Sequence, residues 1–187
     1  MIDERRIARA VREILLAVGE DPDREGLLKT PERVAAAYTQ LFAGLAKDPA
    51  RHLEGGFAEE ARDLILIRDL PVASLCEHHL LPFTGKAHVG YHPNGRVAGF
   101  SELARVVEDY AKRPQLQERL TAQVADALHE KLGSSGAIVV VEAVHTCMTM
   151  RGAQAVGSVA VTSAARGKFE EDTARRAEAM AMIWEKR

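Results

Sequence analysis

Leu64-Ile65-Leu66-Ile67-Arg68-Asp69-Leu70 marks the point at which the periodicity of this chain changes. A short run of that kind, rich in leucine and isoleucine, predicts a strand. Residues 85–92 predict a second strand, closed by the turn signal Pro93-Asn94-Gly95. Ile138-Val139-Val140-Val141 opens a third, expected to continue towards Met148, and a last strand is expected over about residues 155–163. Before this stretch the spacing is helical. Ile7, Val11 and Leu15 recur on one face up to Gly19, and Thr30-Pro31 predicts a helix start with the hydroxyl as N-cap, running to about Phe42. Residues 47–62 read as irregular. Between the strands, Ser101 is expected to cap a helix burying Leu103, Val106, Val107 and Tyr110, and Leu116, Leu120, Val124, Leu128 and Leu132 line a longer one ending at Gly133. A final helix is expected over about residues 171–184. The fold class is α+β, an N-terminal helical segment (1–62) preceding a core (63–187) of antiparallel strands with inserted helices, in one domain.

A net charge of −2 gives no reason to expect nucleic acid or an anionic membrane as partner. No apolar run approaches the roughly 20 residues that span a bilayer. The charged N-terminus lacks a signal-peptide core, so the expected location is cytoplasmic. The two cysteines, Cys76 and Cys147, are then expected to be reduced, which favours metal binding or simple burial over a disulfide.

Cys76-Glu77-His78-His79 offers a thiolate and an imidazole close enough to reach one ion across a tight turn. If Val144-His145-Thr146-Cys147 is a strand, His145 and Cys147 point to the same face, about 6–7 Å apart. Cys/His/Cys suits zinc, and three protein ligands would leave a corner for water whose pKa the metal lowers towards about 7. A structural site closed by His78 or His145 is the alternative. His52, His88, His92 and His129 are expected to be ordinary structural histidines. A zinc nucleobase deaminase fits poorly, because the chain has no Cys-x-x-Cys.

The stretches SLCEHHLLPFTGKAHVGYHPNG, RPQLQERLTAQVADAL and VVVEAVHTCMTMRG, with weaker similarity in GEDPDREGLLKTPERVA and VTSAARGKF, resemble the GTP cyclohydrolase I family. The resemblance implies a tunnelling fold (T-fold), with sheets from several subunits joined in a barrel, and a homodecamer of two pentamers. It implies Zn2+ on Cys76, His79 and Cys147, with His78, His145 and Ser101 catalytic. It places Glu118 and Gln117 at the guanine edge and Arg33, Arg105 and Arg151 at the triphosphate, with Lys86 nearby in sequence. The implied reaction opens the imidazole ring of GTP, releases formate and recloses to a dihydropterin.

Two positions depart from the family's usual pattern. Glu102 stands where a Lys is common, Ala36 where a Lys or Arg is usual, and the often basic segment 153–159 is uncharged. Glu102 and Arg105, three apart on one helix, could pair. An anion facing several phosphates would weaken the cradle, so a relative acting on a less phosphorylated guanine compound, or a non-catalytic zinc-stabilised nucleotide-binding protein, stand as alternatives.

Overall fold

The computed structural model describes residues 2–185. The chain begins with α1 (Glu4–Ala17), whose Asp3 carboxylate caps the Arg6 N–H at 2.9 Å, and α2 (Thr30–Leu41). Thr30 is already helical; the N-cap position falls on Lys29 and no side chain caps it, so the expected hydroxyl cap is not made. Two short 3-10 turns, Ala43–Ala46 and Pro49–Leu53, follow, and then β1 (Phe57–Ala58) pairs antiparallel with β4 (Arg96–Val97). Between these lie β2 (Ile65–Cys76) and β3 (Pro82–His92). After β4 come α3 (Phe100–Ala111), β5 (Pro114–Gln115) and α4 (Gln117–Asp126), which continues through a π-helical turn, Ala127–Lys131. The chain ends with β6 (Gly136–His145), α5 (Thr146–Thr149), β7 (Ala160–Gly167), α6 (Lys168–Glu171) and α7 (Thr173–Trp184).

The main sheet has five strands in the order β5-β2-β3-β6-β7, antiparallel except for the short β2–β5 pairing. The strand expected to end at Leu70 runs on to Cys76. A bulge between Ile67 and Leu70, with Asp69 at φ 62°, absorbs the irregularity, and Pro71 follows it. On its outer side β2 has no partner until Leu75, so a residue without an N–H is tolerated there. The strand expected over 155–163 lies further on, at Ala160–Gly167.

In β6, Ala137, Val139, Val141 and Ala143 point into the layer of α3 and α4, while Ile138 packs with Phe169 and Ala179 of α6 and α7. Burial on both faces is why this strand reads as a continuous aliphatic run rather than an alternation. The main core joins Val72, Phe83, Val89 and Tyr91 of the sheet to Leu103, Val106, Val107, Leu120, Val124 and Leu128 of the helices. The N-terminal segment is fastened to α3 by Asp109, which is buried and holds Lys47 at 2.7 Å and His52 at 2.8 Å. Among the described residues no helix is long and apolar enough to cross a membrane.

Candidate active site

Antiparallel pairing brings distant segments to one end of the sheet. The register Ser74↔Phe83↔His145 sets the end of β2, the start of β3 and the end of β6 side by side. The parallel pair Cys76↔Gln115 starts α4 at the same end. Cys76 is the last residue of β2, and His78 and His79 sit in the turn that follows. This turn is closed by Cys76 N–H to Leu81 C=O at 2.9 Å and Leu80 N–H to Cys76 C=O at 2.8 Å, with Leu80 held at φ 52°.

Cys147 arrives differently from the expectation. β6 stops at His145, and Cys147 lies in the single helical turn α5, so no strand alternation aligns the two residues. The Thr146 hydroxyl donates to Pro82 C=O at 2.6 Å and so fastens α5 to the start of β3. One ligand atom from each of Cys76, His79 and Cys147 lies within 4.8 Å of the others, and among the described residues no fourth thiol, imidazole or carboxylate joins them. Zinc bonds of about 2.3 Å to sulfur and about 2.0–2.1 Å to nitrogen put ligand atoms about 3.5–3.8 Å apart. Cys76 Sγ to His79 Nδ1 is 3.8 Å, so the donors fit such an ion with small adjustments. Burial pushes the Cys147 thiol up, and the Cys76 sulfur facing it adds to the effect. Two thiols crowded in this way are a donor set that a divalent cation suits. His78 approaches Cys76 Sγ to 3.9 Å through Nδ1 without joining the group of three.

His145 is held by contacts that sequence spacing does not reveal. Its ring stacks on Phe83, with centroids 4.6 Å apart, and its Nε2 meets Gln117 Oε1 at 2.7 Å. The Gln117 amide nitrogen donates to Val141 C=O at 2.9 Å and Ala160 C=O at 3.0 Å, with Thr162 Oγ1 at 3.2 Å. Carbonyl oxygens only accept, so the amide nitrogen must face them and Oε1 must face the imidazole. Oε1 also only accepts, so the hydrogen of His145 sits on Nε2, and Nδ1 is left for proton exchange. Burial pushes His145 below its ordinary value, against a smaller opposing pull from the Glu118 carboxylate.

The resemblance implied that Gln117 meets substrate beside Glu118. In the structure Gln117 is buried and its amide is committed to β6, β7 and His145. Glu118 is exposed and lines a cleft of about 490 Å³ with Thr162, Ser163 and Arg166 along β7. None of Cys76, His79 and Cys147 lines that cleft. Arg151 donates to His79 Nε2 at 2.9 Å. Arg105 is exposed on α3, and Arg33 lines a separate cleft on α2 with Leu28, Lys29, Glu32 and Ala36. Lys86 pairs with Asp69 at 3.0 Å.

Ser101 is not the cap of α3. Gly99 holds that position, and Ser101 is exposed in the first turn. Glu102 takes over the capping, accepting the Gly99 N–H at 2.9 Å. Its carboxylate is thus turned back on its own helix start, where the helix dipole favours it. The ion pairs among the described residues do not include one between Glu102 and Arg105, which their spacing allows. Of the other histidines, His52 binds Asp109, while His88 and His92 are buried in the sheet.

A sequence model of GTP cyclohydrolase I matches residues 7–184. The GTP cyclohydrolase 1 of Carboxydothermus hydrogenoformans is 60% identical over 98% of this chain and 96% of its own length. That of Pelotomaculum thermopropionicum is 55% identical over 98% of each. A solved archaeosine synthase QueF-Like in the apo form overlays with a TM-score of 0.48 at 17% identity, over 58% of this chain and 97% of that one. A match running from α1 to the last turn of α7 at such identities leaves no segment of the core outside it, and the chain belongs to the GTP cyclohydrolase I family.

Proposed function

We propose that the family's reaction, opening of the guanine imidazole ring of GTP with release of formate and reclosure to 7,8-dihydroneopterin triphosphate, takes place here around zinc held by Cys76, His79 and Cys147. The convergence of those three donors within 4.8 Å, from two segments well separated in the chain, carries the reading. Zinc in that position supplies a Lewis acid and a water acidic enough to act near neutral pH.

The chain's own groups do the rest. His145, with its Nε2 hydrogen committed to Gln117, exchanges a proton with N7 of the purine through Nδ1. Glu118 accepts two hydrogen bonds from the ring N–H and the exocyclic amine of guanine, a pair that adenine does not offer. His78 and Ser101 serve the later proton transfers of ribose opening and reclosure. Arg105 and Arg151 bind the triphosphate, with Arg151 turning to it from His79. Arg33, on its separate cleft, serves the site of a neighbouring subunit in a homodecamer of two pentamers, and the enzyme works in the cytoplasm without nucleic-acid or membrane partners.

The orientation of Glu102 supports GTP itself over a less phosphorylated compound, because its charge is spent on the α3 cap and does not compete for Arg105. Formate release measured with GTP, GMP and guanosine tests this. Efficient saturable turnover of GTP, with much weaker turnover of the other two, is the expected result. A zinc-loaded protein that releases no formate from GTP would sink the reading. Light scattering that gives a mass of one or two chains would remove the decamer.

A further inference from the structure

We infer that Glu77 and Arg119 form a positioning pair that sets the distance between the metal-binding turn and the helix carrying Glu118. The inference rests on the reading above, in which the turn holds zinc and Glu118 holds guanine. It starts from the first turn of α4, where three successive side chains go to three places. Gln117 enters the sheet to hold His145, Glu118 faces the cleft, and Arg119 reaches across to the turn between β2 and β3. There its Nη1 and Nη2 donate to the two carboxylate oxygens of Glu77 at 2.5 and 3.1 Å. Glu77 lies between Cys76 and the two histidines.

A two-pronged arginine–carboxylate contact fixes orientation as well as distance. The backbone link between the same segments is slight. It consists of Glu77 N–H to Gln115 C=O at 3.0 Å and the two-residue pairing of β5 with β2. The turn also contains Leu80 in a left-handed conformation, which gives it a way to relax if released. The Arg119 and Glu77 side chains are 44% and 30% exposed. A pair so open to solvent contributes little to folding stability. Its effect belongs instead to geometry, where a misplacement of about 1 Å costs about 100-fold in rate.

The test compares Arg119→Ala, Arg119→Lys and Glu77→Gln with the wild-type holoenzyme. Zinc affinity is read by competition with a chromophoric chelator, kcat and KM for GTP at saturating zinc, and the melting temperature alongside. Arg119→Ala and Glu77→Gln are expected to weaken zinc binding about 10-fold or more, as loss of a group supporting a metal ligand does. They are expected to lower kcat by about 10- to 100-fold with KM within about threefold of wild type, because Glu118 stays on its helix. Arg119→Lys, which keeps the charge and loses the fork, should fall between. Wild-type zinc affinity and kcat in Glu77→Gln and Arg119→Lys would overturn the inference, whatever happens to the melting temperature. If the wild-type protein itself neither holds zinc nor turns over GTP, the functional reading fails first, and that result is separate.

Discussion

Cys147 occupies a place where a single atom decides the chemistry. It is held in a helical turn whose first residue, Thr146, is bonded to Pro82, so a serine at this position would sit in the same place with a harder, weaker donor. Cys147→Ser is expected to lower zinc affinity by more than about 100-fold, beyond the usual cost of losing a supporting group. Zinc content after gel filtration, with formate release as the second readout, checks it. Cysteine and histidine types and the Cys-x-x-His spacing pointed to a metal-binding turn, but the arrival of Cys147 beside it depends on the pairing of β3 with β6 and on α5, which spacing does not reveal. Gln117 was not legible either. Its partners belong to β6 and β7, far along the chain, and only the sheet shows that its amide is used up. The cap of α3, expected at Ser101, escapes the sequence for a similar reason, because Gly99 takes that position and Glu102, three residues on, supplies the acceptor.

Asp109 is the other residue with a large individual effect. Burial alone would raise its carboxyl, but hydrogen bonds from Lys47 and His52 outweigh it and hold the group below the usual aspartate range. The carboxyl is therefore harder to protonate folded than unfolded. Its stabilisation is fully present above the unfolded value near 3.8 and is lost as pH falls through the lower folded value. Asp109→Asn is expected to cost about 1–3 kcal/mol near neutral pH and to flatten the acid limb of stability, measured by urea unfolding at several pH values.

Among the elements, α4 shows how a sequence pattern is reconciled with helix geometry. Leu120, Val124, Leu128 and Leu132 repeat every four residues, whereas an α-helix turns every 3.6, so the stripe drifts by about 40° at each step. The wider π turn at Ala127–Lys131 takes up the drift, and Leu128 and Leu132 stay buried at 0% and 3% exposure. The pattern announced the helix without announcing the turn. Gly85, at the centre of the sheet, is the converse. A Cβ there would lie 1.9 Å from Glu142 C=O and 2.6 Å from Ala143 Cα, both backbone atoms that cannot step aside. Gly85→Ala is expected to force β3 and β6 apart and to cost about 3 kcal/mol or more, read as a fall in melting temperature. Because the Phe83↔His145 pair ends the same ladder, zinc affinity should fall with it.

At the scale of the whole molecule, the α+β class and the order of elements follow from where the aliphatic runs lie. Their joining does not: the proline-interrupted β2 and the loop 151–159 ahead of β7 depend on which strand edges have partners. The outer edge of β7 has none among the described residues, since β7 closes the order of the sheet. The cleft that holds Glu118 runs along that strand, and Ala160 C=O at its start supports the amide that steadies His145. A strand added to this edge would also wall the cleft and quiet the strand behind it. If the neighbouring subunits of the proposed decamer supply that strand, the enzyme loses rate per molecule on dilution and regains it on reconcentration. Its specific activity would be a property of how much protein is present, with no residue of the centre having changed.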